Sequence, residues 1–129
     1  MSAKFPGLNG IRVFVVEDEF AILFLIEDML KELGCELAGT ASRVAKALDL
    51  VRDRLPDVAV LDVNVAGEPV YPIAEFLAGH DVPIVFSTGY GQETLDNPWR
   101  DRPVLQKPYT LEQLAAALRM SIAQRHSRA

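Results

Sequence analysis

Ile11-Arg12-Val13-Phe14-Val15-Val16-Glu17-Asp18-Glu19 is the stretch on which the reading of this chain turns. Five of its first six residues are apolar and β-favouring, a near-continuous run expected of a strand covered on both faces within a parallel sheet. Three acidic residues follow it at once. Val58 to Val63 and Val82 to Thr88 have the same character, and Glu36 to Ala41 and Val104 to Gln106 are weaker strand candidates. Helical patterns lie between them: Glu19 to Leu33 closed by Gly34, Ser42 to Leu55 closed by Pro56, Tyr71 to Ala78 closed by Gly79, and Thr110 to Gln124. Ser42 and Thr110 are candidate N-caps, and Thr110 with Gln113 has the spacing of a capping box. Gln92 to Arg102 reads as one short helix and a loop, because Asn97-Pro98 truncates a helix begun near Gly91. Five strands alternating with helices predict an α/β, doubly wound (βα)5 chain with right-handed crossovers and helices on both faces of one parallel sheet.

The composition suits one such domain. The chain has 129 residues, half of them apolar and a quarter charged, enough for one sizeable core. The expected division is a domain over residues 10–126 after an N-terminal extension of residues 1–9, with no output domain. A net charge of −5 disfavours direct nucleic-acid binding, which needs a basic stripe to displace counterions. The basic cluster Arg119, Arg125, His126 and Arg128 reads as a solvated helix end. The N-terminus lacks a signal-peptide core, and the longest apolar run, Phe20 to Ile26, is too short for membrane insertion. The single Cys35, read as a small buried strand residue, fits a reducing compartment. A cytoplasmic protein is expected.

Ligands of doubly wound sheets bind at the carboxyl ends of the strands. At those ends this chain carries Glu17-Asp18-Glu19, Asp62, Ser87-Thr88-Gly89 and Lys107-Pro108. Any one acidic residue there could be a solvated loop charge, but several gathered together would repel. Two like charges about 4 Å apart cost roughly 4 kcal/mol at an effective dielectric near 20. A hard dication and Lys107 would balance them. With oxygen ligands and no His or Cys at these ends, Mg²⁺, Mn²⁺ or Ca²⁺ is selected over zinc, and Mg²⁺ suits phosphoryl chemistry. In that reading Asp62 is the nucleophile, Lys107 neutralises phosphoryl oxygens and the Thr88 hydroxyl donates to one of them.

On these residues the chain resembles the receiver domain of two-component response regulators, over about residues 10 to 124. The resemblance implies a flavodoxin-like sheet of order 2-1-3-4-5 and a phosphoacceptor of a two-component or phosphorelay system that signals through protein contacts. It implies no enzymatic activity beyond Mg²⁺-dependent self-phosphorylation and dephosphorylation at Asp62. It implies Asp18 as a direct Mg²⁺ ligand, Glu17 acting through water, and Asp62 and the Asn64 main-chain carbonyl completing the protein ligands. Thr88 matches the switch hydroxyl, and Lys107-Pro108 the phosphate-sensing lysine with its usually cis peptide bond. The implied partners are a histidine kinase or histidine phosphotransferase and a downstream protein.

Two positions depart from the family pattern. Many receivers carry proline four residues after the phosphoacceptor, where this chain has Ala66 followed by Gly67, so a differently shaped loop is expected. The swinging aromatic three residues before the lysine is replaced by Val104. Phe86-Ser87-Thr88-Gly89-Tyr90 resembles a Phe-Ala-Thr-Gly signature of some stand-alone receivers, which points to phosphorelay or stress signalling. Tyr90 is then a substitute mobile aromatic or a packing residue, and a switch over Gly89 to Pro98 is expected. On the first helix, Ile22, Leu25, Ile26, Met29 and Leu33 project as the core face. Phe20, Leu23 and Phe24 lie nearly opposite, either as surface residues or as a docking patch for a kinase or phosphotransferase. His80 and His126 fall away from the strand ends, and Trp99 reads as a loop anchor. An aspartyl-phosphate phosphatase would need a general acid two residues after its nucleophile, where Asn64 cannot shuttle a proton. A nucleotide-binding domain would need a glycine-rich turn where Glu17-Asp18-Glu19 stands.

Overall fold

The computed structural model describes residues 7–89, 95 and 98–128. Its elements run β1 (Arg12–Val16), α1 (Phe20–Glu32), β2 (Glu36–Ala41), α2 (Val44–Asp53), β3 (Val58–Asp62), β4 (Asn64–Val65), β5 (Glu68–Pro69), α3 (Tyr71–Gly79), β6 (Ile84–Thr88), β7 (Val104–Gln106) and α4 (Leu111–Arg128). Five parallel strands form one sheet in the order β2-β1-β3-β6-β7, which is the expected 2-1-3-4-5 once the hairpin strands β4 and β5 are set aside. The central strand β3 is buried along its whole length, which explains why its sequence shows no polar alternation.

Each sheet face has its own core. Phe14, Val16, Ala59, Leu61, Ile84 and Phe86 pack beneath α2 and α3, while Val13, Val15, Val58, Val60, Val85 and Leu105 pack beneath α1 and α4. Adjacent strand residues therefore serve opposite cores, as the two-residue period of a strand requires. Leu8 is fully buried in the second core, so the packed unit reaches back past the expected boundary at residue 10. Among the described residues no helix is long and apolar enough to cross a membrane.

The structure corrects several element-level expectations. The buried stripe of α1 is Leu23, Ile26 and Leu30, continued by Leu33, so Leu23 belongs to the core and Leu25 is 49% exposed. The helix is turned by a little over half a residue step from the face its periodicity suggested. The apolar arc is wide enough to serve two neighbours: Ile22 and Met29 pack half-buried against the second core as expected and, with the exposed Leu25, line a groove beside Pro108 and Tyr109. α2 starts at Val44 with Arg43 as an extended N-cap that makes no side-chain bond, not at Ser42. It ends at Asp53 because the chain is already extended at Arg54, approaching Pro56. β6 starts at Ile84, since Pro83 has no N–H for the ladder. Cys35 is a half-buried loop residue whose thiol donates to the Leu8 carbonyl at 3.5 Å. The capping box at Thr110 is reciprocal: Gln113 N donates to Thr110 Oγ1 at 3.1 Å and Thr110 N to Gln113 Oε1 at 2.8 Å. Trp99 is buried against Phe86 and stacked on Tyr71, an anchor as expected. Tyr90, most of the Gln92 to Arg102 segment's expected helix, and the side chains of His126 and Arg128 lie outside the described residues.

Candidate functional site

The parallel strands β1, β3 and β6 end together, and their last residues and the turns after them converge with Lys107 on one cleft. The cleft, about 300 Å³, is lined by Asp18, Glu19, Asp62, Asn64, Thr88, Gly89 and Lys107. Main-chain bonds lock the strand ends in step: Glu17 N donates to Ala41 O at 3.0 Å, Val63 N to Ser87 O at 2.9 Å and Lys107 N to Thr88 O at 2.8 Å. The Lys107-Pro108 peptide is cis, as the resemblance implied.

Lys107 sits at the centre. Its Nζ donates to Glu17 Oε1 at 2.9 Å and to Asp62 Oδ2 at 3.0 Å, all three side chains being at most 8% exposed. Carboxylate oxygens of Glu17, Asp18 and Asp62 lie within 4.8 Å of one another, an oxygen-only set that fits a hard cation such as Mg²⁺. Burial pushes the carboxyls of Glu17 and Asp62 above the usual carboxylate value, against the lowering effect of their hydrogen bonds to Lys107. The charge of Asp62 raises Glu17 further, and a main-chain bond from Asn64 opposes the rise at Asp62. Burial alone would lower the Lys107 ammonium, but its two carboxylate partners outweigh that and leave it raised. The cluster thus holds its cation firmly and carries surplus negative charge that a dication would neutralise.

Every residue placed in the site from sequence lines this cleft or bonds within it: Glu17, Asp18, Asp62, Asn64, Thr88 and Lys107. Thr88 is buried at the last position of β6. His80 closes α3, with Nδ1 beside the Phe76 carbonyl at 2.9 Å, and takes no part. One member went unread. The hairpin of β4 and β5 turns through Ala66 (φ 51°) and Gly67 (φ 84°), and the Ala66 N–H donates to Asp18 Oδ2 at 2.8 Å. Gly67 is the one conventional signal for such a turn, because Ala66 stands where Asn, Asp or Gly is preferred. Tyr109 is also unanticipated: buried beside the α1 groove, its hydroxyl has no hydrogen-bond partner among the described residues. Burial, aided by the charges of Glu17 and Asp62, raises its pKa.

The receiver-domain family model of response regulators matches residues 13–119. The solution structure of SdrG from Sphingomonas melonis Fr1 is 45% identical, with a TM-score of 0.77, over 87% of this chain and 94% of that one. The BeF3-activated conformation of SdrG from Pseudomonas melonis Fr1 is 44% identical, with a TM-score of 0.75, over 86% and 95%. The transcriptional regulatory protein PdtaR of Mycobacterium tuberculosis (strain ATCC 25618 / H37Rv) is 29% identical over 87% of this chain and 57% of its own length. The chain spans about half the length of the curated relatives it matches, 57% and 47% in two cases.

Proposed function

This chain belongs to the receiver-domain family of response regulators, and on that premise we propose that Asp62 accepts a phosphoryl group in a Mg²⁺-dependent reaction. The observation that carries this reading is the convergence of Glu17, Asp18, Asp62, Thr88 and Lys107 on one cleft at the strand ends.

Lys107 Nζ holds the Asp62 carboxylate through Oδ2, and that carboxylate attacks phosphorus in line. The new O–P bond forms as the P–N bond to the donor breaks, and the nitrogen of the donor's histidine or of phosphoramidate leaves with the electron pair. Lys107 then contacts both Glu17 and the phosphorylated residue. Thr88, at the end of β6 between the strands that lead to Asp62 and Lys107, supplies a hydroxyl to a phosphoryl oxygen. Glu17, Asp18, Asp62 and the Asn64 carbonyl would hold Mg²⁺, which supplies charge neutralisation for the phosphoryl oxygens. Asn64 is suited to this role, because Val70 N bonds Val63 O at 2.9 Å and the next pair, Asn64 with Pro69, falls at a non-hydrogen-bonded position. Its carbonyl is therefore not consumed by the hairpin.

We place the phosphoryl donor, a histidine kinase or histidine phosphotransferase, against α1. Phe20 and Phe24 are 69% and 62% exposed in the first turns after the acidic triplet, and Leu25 joins them to the apolar groove beside Pro108 and Tyr109. An amphipathic partner helix would cover this surface and bring its phosphohistidine to the cleft. Leu23 is a core residue and leaves the proposed patch. A protein downstream reads the phosphorylated state, in the cytoplasm.

Incubation with phosphoramidate and Mg²⁺ should add one phosphoryl group by intact mass, and Asp62→Ala should abolish it. Full labelling of Asp62→Ala contradicts the assignment. Phe24→Asp should slow transfer from a phosphorylated partner while small-donor labelling is unchanged, and Leu23→Asp should instead destabilise the fold. Equal slowing of both reactions by Phe24→Asp makes the patch structural.

A further inference from the structure

Asp18 differs from the other two carboxylates of the cluster. Glu17 and Asp62 are buried and held by Lys107, whereas Asp18 is solvent-exposed, and the hydrogen bond recorded for its side chain comes from the main-chain N–H of Ala66 at 2.8 Å. An exposed aspartate with no such tether would spread over its rotamers and present a cation with no fixed ligand.

The hairpin after Asp62 is built to make that bond. Val65 and Val70 are fully buried and pin its two arms into the core, while Ala66, Gly67, Glu68 and Pro69 stand exposed. Main-chain groups in a strand alternate between its two edges, so Val65 faces β5 while Asn64 and Ala66 face the other way. That outer edge is the wall of the cleft: the Asn64 N–H is bonded to Asp62 and the Ala66 N–H to Asp18. A two-residue type I′ turn closes the two arms with positive φ at both of its residues, and Ala66 at 51° and Gly67 at 84° have it. Ala66 accepts a left-handed conformation that costs a residue with a Cβ about 1 kcal/mol. A proline there, as many receivers carry, is fixed near φ −65° and has no N–H to give.

We propose that the Ala66 main-chain amide is a positioning group for metal binding: it fixes Asp18 so that its carboxylate, with Glu17 and Asp62, forms a preset Mg²⁺ site. The inference rests on the Mg²⁺-dependent reading of the cleft. Groups that orient metal ligands in this way typically contribute about ten- to a hundredfold in metal affinity.

The test is Mg²⁺ titration calorimetry on the full chain, with thermal melting in EDTA as the control for folding. Replacing the Ala66 amide by an ester, with lactic acid in its place, deletes the N–H alone. It should weaken Mg²⁺ binding by about ten- to a hundredfold while the metal-free melting point changes little. Ala66→Pro should do at least as much, and Ala66→Gly, which keeps the N–H and the turn, should bind Mg²⁺ as the parent does. If Ala66→Pro does not fold, the ester variant decides. Parental Mg²⁺ affinity in the ester variant overturns the inference while leaving the phosphoacceptor reading intact. Absence of Mg²⁺ binding by the unmodified protein overturns both.

Discussion

At the scale of single residues, chemistry follows from where a side chain is held and what it is held by. Lys107 and its two carboxylates were legible in the sequence because acidic and basic residues directly after apolar strands have few other ways to be balanced. Ala66 was not, because its contribution is a main-chain N–H, and nothing in the residue type distinguishes an amide aimed at Asp18 from one aimed at water. Cys35 lies in a loop and not in the expected strand for a related reason: a small thiol between Gly34 and Glu36 reads equally as strand or loop. Its half-buried position raises its pKa to about 11 from 9.0. At pH 8 the thiolate fraction is then about a hundredfold below that of an unperturbed thiol. The higher basicity returns roughly a tenfold gain in nucleophilicity, which leaves alkylation about tenfold slow. Iodoacetamide kinetics on the native and the urea-unfolded chain should show that ratio, and equal rates contradict it. The linkage has a definite sign: with the folded pKa above the unfolded one, this thiol's contribution to stability is complete below about pH 9. It is lost as pH rises through about 11.

At the scale of elements, pattern and cap chemistry located most strands and helices, and the misses share a cause. Hydrophobic periodicity measures the width of an apolar arc but not which neighbour each part of it meets, so the sequence alone points the middle of the α1 arc at the core. The structure divides that arc between the sheet, through Leu23, Ile26 and Leu30, and the groove at Pro108 and Tyr109. Helix starts divide in the same way. Thr110 with Gln113 satisfies two orphan amides at once, whereas Ser42 precedes the true cap and competes with nothing. Thr110→Ala should therefore cost about 1 kcal/mol in urea denaturation, and Ser42→Ala much less. Equal losses would mean the capping box contributes no more than an ordinary loop contact.

At the scale of the whole molecule, one sheet order brings residues from four separate stretches of chain to a single edge. Alternation of strand and helix was enough to read the fold class, and the resemblance supplied the strand order that β2-β1-β3-β6-β7 bears out. The small hairpin β4-β5 escaped notice because two-residue strands fall below any periodicity signal. Since surplus carboxylate charge is built into the native cleft, a cation that binds there should stabilise the fold. Free Mg²⁺ at 100 times its dissociation constant should add about 2.7 kcal/mol, and Asp18→Asn should blunt the response. A melting point indifferent to Mg²⁺ in the unmodified protein would count against the metal site. The central claim is that the phosphoryl group is carried by Asp62 itself, and an acyl phosphate can be marked where it forms. Treatment of the phosphoramidate-labelled protein with borohydride reduces an aspartyl phosphate to homoserine, which tandem mass spectrometry places in the chain. Homoserine at position 62, formed only when Mg²⁺ was present during labelling, is the expected result; homoserine at Asp18 or another carboxylate, with Asp62 intact, would contradict the account.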